Sequence, residues 1–167
     1  EWARKNWITT MNSIEWADPD WYVTRWHLAK MLVNFIINVL WKNISYDISY
    51  ECVNWNDDPS IWESDEIRDY ATKACALWIM WINTRNNEFM PNDIVTRAEF
   101  WTVASRILWW DIYNEIDAEN NPFYTKHLKA LQESGFMKDI DNPLWRREIR
   151  KRVWLVLKRI ELEKNKK

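Results

Sequence analysis

The stretch that most constrains this chain is "DIVTRAEFWTVASRIL", residues 93–108. Thr96 and Glu99 are spaced as a T-x-x-E capping box, in which the hydroxyl meets one orphan amide of a helix N-terminus and the carboxylate reaches back to another. Phe100, Val103, Ile107 and Leu108 follow on one helical face. A helix with so definite a start and so continuous an apolar stripe needs other amphipathic elements to cover it.

The rest of the sequence supplies them as helices and turns, with little strand. In "YVTRWHLAKMLVNFIINVL", Thr24 is the expected N-cap, and Leu28, Leu32, Phe35, Ile36 and Val39 share a face. In "ESDEIRDYATKACAL", Ser64 is the expected cap, and Asp65 and Glu66 suit the positive end of a helix. "NPFYTKHLKALQE" reads as a helix capped by Asn121 with Pro122 at its first position. "NPLWRREIRKRVWLVLKRIELEK" reads as a last long helix with Ile149, Val153, Leu157 and Ile160 on one side. The Asn/Asp/Pro-rich connectors "NWNDDPS", "NTRNNEFMPND" and "MKDIDNP" read as turns, with Phe89 before Pro91 in a short extended piece. The expected class is all-α.

Turns are where the composition becomes strange. The chain has 167 residues, of which 15 are Trp and 1 is Gly. Ordinary usage of roughly 7% Gly would give about a dozen. "ACALWIMWIN" puts Trp78 and Trp81 where a helix should stop, a place that favours glycine because φ > 0 costs little without a Cβ.

Charge is divided along the chain. Residues 142–167 hold 10 Lys and Arg against 3 acids, while the remainder holds 13 against 22. The basic "RREIRKR" segment could meet nucleic acid or another anionic surface, or simply be a solvated helix face with a trailing "KNKK". No run of 18 apolar residues exists, so no membrane span is expected. The start at Glu1 suggests an excised piece of a larger protein.

Chemistry-bearing motifs are scarce. His27 and His127 are far apart and no H-x-x-x-H or C-x-x-C occurs, so no metal site or cofactor is expected. "DPD" and "NWNDD" lack the spacing of a calcium loop, and no phosphate-cradling G-x-x-x-x-G-K-[ST] is present. Glu63, Asp65, Glu66 and Asp69 crowd a helix start, where the helix dipole explains them without a glycosidase pair. The expectation is a protein that is not an enzyme and takes no small-molecule substrate. Cys52 and Cys75 are either two buried thiols or one disulfide. In an exported chain the bond would stabilise by roughly 3 kcal/mol through loop closure.

A repeat underlies the helices. Arg25, Arg97 and Arg146 each stand near the start of a long amphipathic helix, with Leu28, Phe100 and Ile149 three positions on. "ALQESGFMKD" matches "ACALWIMWIN", and the lone Gly135 falls opposite Trp78. The first unit keeps only its second half, "KNWITTMNSIEWADPDWYVTRWHL". Arg147 is the rival of Arg146 if the third unit shifts by one.

With Asp57 in a turn, Leu77–Trp81 ending a helix, Phe89 and Pro91 in an F-x-P loop, and Thr96–Glu99 as "TRAE", the middle unit resembles the S-layer homology domain. The resemblance covers roughly residues 5–162 as three degenerate repeats: 1–45 (incomplete), 46–110 and 111–163, with 164–167 a basic tail. His27 replaces Glu99 in the first unit, and "WRRE" replaces "TRAE" in the third. The resemblance implies helix-loop-helix repeats around a central helical bundle, with short extended segments in the loops. It implies a non-catalytic module of the bacterial cell surface, anchoring a larger protein or S-layer by binding an acidic cell-wall polysaccharide, often pyruvylated, in grooves between repeats. It places Arg97 in a groove, with Arg25 and Arg146 as weaker counterparts and Glu99 beside Arg97. A guanidinium offers a charged planar fork to a carboxylate, which suits that ligand. A structural surface domain with a dead groove, and a nucleic-acid or anionic-surface binder using the basic C-terminal helix, remain as alternatives.

The resemblance also bears on the tryptophans. Where this family puts glycine, this chain puts Trp78 and Trp81. Some bacterial lineages decode UGA as glycine, so a translation under another code would print Trp for Gly throughout. The sum of 1 Gly and 15 Trp is then ordinary. Trp109, within a helix stripe, is expected to be genuine, and Trp55 is undecided. A truly Trp-rich protein is the alternative.

Overall fold

The computed structural model describes residues 1–11, 13–40, 52–80, 87–109 and 122–166. It is mainly helical, with seven α-helices and no strand among the described residues. They are α1 (Trp2–Lys5), α2 (Ile14–Ala17), α3 (Arg25–Asn38), α4 (Asp65–Ala76), α5 (Arg97–Trp109), α6 (Thr125–Glu133) and α7 (Arg150–Lys164), with one 3-10 turn at Pro59–Ile61. Among the described residues no helix is long and apolar enough to cross a membrane.

The capping box forms as expected. The Thr96 amide and hydroxyl both donate to Glu99 Oε2 at 2.7 Å, and the Glu99 amide donates to Thr96 Oγ1 at 3.2 Å. Leu28, Leu32, Phe35, Ile36, Phe100, Val103, Ile107 and Leu108 are buried, as are Val153, Leu157 and Ile160. All belong to one core, shared by α3, α4, α5, α6 and α7. Two helix starts differ from expectation. The α6 helix begins at Thr125 with Tyr124 as N-cap, and Asn121 lies outside the described residues. The α7 helix begins only at Arg150, so Ile149 is its N-cap rather than part of its stripe.

The delay of α7 follows from how the three units join. Segments 22–24, 94–96 and 147–149 meet as antiparallel bridges, Tyr22–Ile149, Thr24–Ile94 and Thr96–Arg147. Their central residues close a cycle of backbone hydrogen bonds: Val23 N–H to Glu148 C=O (2.9 Å), Glu148 N–H to Val95 C=O (3.0 Å), and Val95 N–H to Val23 C=O (2.8 Å). The pattern continues into the helices. The amides of Arg25, Arg97 and Arg150 donate to the carbonyls of Asp93, Arg146 and Trp21. Those of Trp26, Ala98 and Lys151 donate to Pro91, Pro143 and Pro19. The first amides of a helix have no partner within it. Here the neighbouring unit supplies the partner each time, so each long helix is completed by another unit.

The helices obey the same cycle. The α4 helix packs on α3 and α6 packs on α5, while α1 meets α7 through the Trp2 indole, which donates to Glu161 at 2.9 Å. The leading helix of each unit thus covers the long helix of the unit before it. In the first unit the four-residue α1 stands where α4 and α6 stand in the others.

All three leading helices end in one turn. Trp7, Trp78 and Gly135 have φ of 58°, 56° and 77°. The residue two further on in each case, Thr9, Met80 and Met137, returns its amide to Ala3, Ala74 and Leu131. This is the left-handed stop that glycine favours. The Trp7 and Trp78 side chains extend into solvent, 65% and 66% exposed. Trp81 lies outside the described residues. Elsewhere the indole N–H groups of Trp55, Trp62 and Trp154 are buried without a hydrogen-bond partner, which is unusual for buried Trp. Asp18, Met90 and Asn142, each just before a proline, also have positive φ.

Cys52 and Cys75 are disulfide-bonded. The bond ties the segment before Trp55 to the last turn of α4.

Candidate anion-binding grooves

The backbone cycle decides which residues correspond. Arg25, Arg97 and Arg150 are equivalent, each the first residue of a long helix, and each faces the next unit. Arg146 and Arg147 are on the strap that precedes α7. Arg146 is exposed and ion-pairs with Asp139, and Arg147 reaches the Ile94 carbonyl at 3.5 Å. Neither occupies the position of Arg97. The residue facing each inter-unit arginine follows from the same register: Glu99 for Arg25, Arg152 for Arg97 and His27 for Arg150.

The joint between units 1 and 2 is filled. Arg25 is buried, donates from Nε to the Phe89 carbonyl at 2.7 Å, and meets Glu99 Oε1 at 3.3 Å. Its guanidinium lies over the Phe89 ring, 5.1 Å from the centroid. Burial pushes its pKa down, and Glu99, Asp93 and Asp57 oppose the shift. Asp57 fixes the Phe89 loop by accepting the Phe89 and Met90 amides, both at 2.7 Å. Trp55 and Trp62 close around Phe89, at 5.5 and 6.0 Å between ring centroids. Arg25 and Glu99 therefore hold the units together, with most of their polar capacity used internally.

The joint between units 2 and 3 is neutralised differently. Arg152 stands where Glu99 would be, and the carboxylate comes from Glu148, in the hub position held by Val23 and Val95 in the other units. Glu148 Oε1 is 3.9 Å from Arg97 Nε, and its Oε2 is 3.5 Å from Arg152 Nη1. Arg97 Nη1 is also 4.0 Å from Asp139. Glu148 is fully buried. Desolvation raises its pKa, and Arg152 and Arg97 pull it back. At 3.9 Å the Arg97–Glu148 pair attracts without close contact, and the Trp101 indole also favours the Glu148 charge.

Among the described residues, no such acid stands in the joint between units 3 and 1. Arg150 Nη1 donates to the Ala17 carbonyl at 2.9 Å, the counterpart of the Arg25–Phe89 contact. Its Nε is buried without a partner. Among the described residues no carboxylate ion-pairs with it, although Asp18 is near enough to favour its charge. His27 takes the place of Glu99, with Nδ1 at 2.6 Å from Thr24 Oγ1. Desolvation, then Arg150 and Lys30, push the His27 pKa down to about 4. The residue facing Arg150 is thus neutral at neutral pH.

A spacing criterion satisfied by Arg146 and Ile149 is equally satisfied by Arg150 and Val153. The register came from hydrogen bonds to other units, which one segment cannot reveal. Among the described residues no group of three His, Cys, Asp or Glu is placed to hold a metal. Comparison with family models, with curated proteins and with solved structures found no match.

Proposed function

We propose that this chain is a non-catalytic module of the bacterial cell surface that anchors a larger protein or surface layer by binding an anionic, carboxylate-bearing wall polysaccharide between its units. The observation that carries the reading is the arginine at each of three equivalent joints, one of which, Arg150, has no carboxylate partner among the described residues. A guanidinium held by a backbone carbonyl on one side keeps N–H groups to offer a ligand carboxylate. The Cys52–Cys75 disulfide favours an oxidising, exported setting. The resemblance to the S-layer homology domain supplies the ligand class, and the cyclic three-unit packing is compatible with it.

The same observations rank the arginines. Arg25, with Glu99 beside it, serves packing, and Arg97 is screened by Glu148. Arg150 carries the main contact and Arg97 a weaker one. The test is pull-down with purified cell-wall sacculi. Arg150→Ala should strongly weaken binding, and Arg97→Ala less so, while both leave the thermal transition in place. Failure of the wild-type chain to bind sacculi would refute the anchor and favour a purely structural surface domain, for which the two internally neutralised joints already speak. Steeply salt-dependent DNA binding would instead favour the basic helix α7 as a nucleic-acid surface.

The turns at Trp7 and Trp78 support the further reading that glycine belongs at these positions in the cell, as it stands at Gly135. Sequencing the gene decides this: UGG codons at both positions would refute it.

A further inference from the structure

The three joints differ in one respect that bears on how a ligand is held. Each arginine faces a residue at the third position after the helix cap. At Arg25 that residue is an acid, and at Arg97 the acid is supplied from the hub. At Arg150 it is an imidazole that can change its charge. Its Nδ1 lies 2.6 Å from the Thr24 hydroxyl; with the neutral ring's proton on Nδ1 and donated to that oxygen, Nε2 is the atom that gains a proton.

We infer that anion capture between units 3 and 1 is proton-linked: His27 takes up one proton from solvent as a carboxylate settles on Arg150. This rests on the anchoring reading only for the identity of the anion. The charged groups around His27 are Arg150 from α7, Lys30 from its own helix, and Asp18, which lies near Arg150. Lys30 is committed to Glu66 of α4 at 2.7 Å, and Trp26 stacks on the ring at 3.8 Å between centroids. Desolvation first, and then the two nearby cations, oppose an imidazolium. A bound carboxylate removes part of that opposition: it offsets Arg150 and stabilises a proton on Nε2. The imidazolium then adds a second charged donor to the anion.

The sign follows directly. Burial and the two cations push the His27 pKa down to about 4, and a carboxylate on Arg150 would raise it from there. Affinity therefore rises as pH falls from neutrality into the interval between those two values. Each unit of pKa rise corresponds to a tenfold gain between the two pH limits.

The chain has two histidines, so imidazole NMR reads the site without ambiguity. His127 serves as the internal control, because it is buried on α6 against Ser105 at 3.0 Å. The probes are D-glucuronate and, as an anion of constant charge, sulfate. The expected result is a His27 pKa raised by a unit or more at saturation, with His127 unmoved. Arg150→Ala should erase the shift, and His27→Gln should bind with no dependence on pH. An unmoved His27 under saturating anion, or a shift that survives Arg150→Ala, overturns the inference. Sacculus binding separates the two claims. Binding to sacculi without a His27 shift defeats proton linkage alone. A His27 shift in a protein that ignores sacculi defeats the anchor alone.

Discussion

Trp7 holds a left-handed backbone at the end of α1 while most of its surface is exposed, so the choice between alanine and glycine there isolates the backbone term. Both substitutions delete the same ring, and any packing that the ring contributes cancels between them. A side chain with a Cβ costs about 1–2 kcal/mol in the left-handed region. Glycine gives back about 0.5–1 kcal/mol through its larger unfolded-state entropy. Trp7→Gly should therefore be more stable than Trp7→Ala by about 0.5–1 kcal/mol. For a chain of this size that is about 1–4 °C in Tm. Gly135→Ala should lose a similar amount, since an added Cβ there meets nothing within 4 Å and only φ is at stake. The control is Lys158, exposed within α7, where Lys158→Gly should be less stable than Lys158→Ala by about 1 kcal/mol. The assay is thermal and urea unfolding of the four variants alongside Gly135→Ala. The argument fails if alanine equals or exceeds glycine at position 7 while the Lys158 pair behaves normally.

Other consequences can be measured on the same footing. Glu148→Val with Arg152→Glu rebuilds the charge layout of the first joint in the second. Each single change leaves a buried charge poorly paired, so the double variant should exceed the sum of the singles by at least about 1 kcal/mol in a double-mutant cycle. Additive effects would mean that the pair does not interact. Asp57→Ala strands two amides at Phe89 and Met90, one of them fully buried, and should cost at least about 2 kcal/mol in urea unfolding. Burial, then Arg106, pushes the His127 pKa down to about 4. The unfolded chain therefore binds the extra proton between the ordinary histidine value and that point, and stability falls as pH drops through this window, by about 3 kcal/mol at most. His127→Gln should flatten the acid limb of the stability profile, and an unchanged limb would remove His127 from the account.

What was legible in the sequence was whatever a segment settles by itself. Thr96 and Glu99 are three residues apart and satisfy each other, so the start of α5 could be read directly. The apolar stripes of α3, α5 and α7 followed from helical spacing for the same reason, except at two ends: Ile149 is the N-cap of α7, and Val39 is the half-buried C-cap of α3. Register in the third unit was different. "WRRE" resembles "TRAE", yet Glu148 occupies the hub place of Val95, and Arg150 rather than Arg146 begins the helix. Nothing local distinguishes the two, because the amides that fix the register bond to Trp21 and Pro19 in another unit. The role of His27 was hidden likewise, since its significance depends on Arg150, more than a hundred residues away. The α1 helix was missed because four residues carry too little periodicity to announce a helix.

A ring of three units made from one chain has two covalent joints and one seam. Units 1 and 2 are linked by the chain, as are units 2 and 3. Units 3 and 1 meet only through contacts such as Trp2–Glu161 and Tyr22–Ile149. Arg150 and His27 face each other across that seam. An anion gripped there would act as a clasp on the one joint without a covalent tether. Its binding energy would then add to the stability of the closed ring.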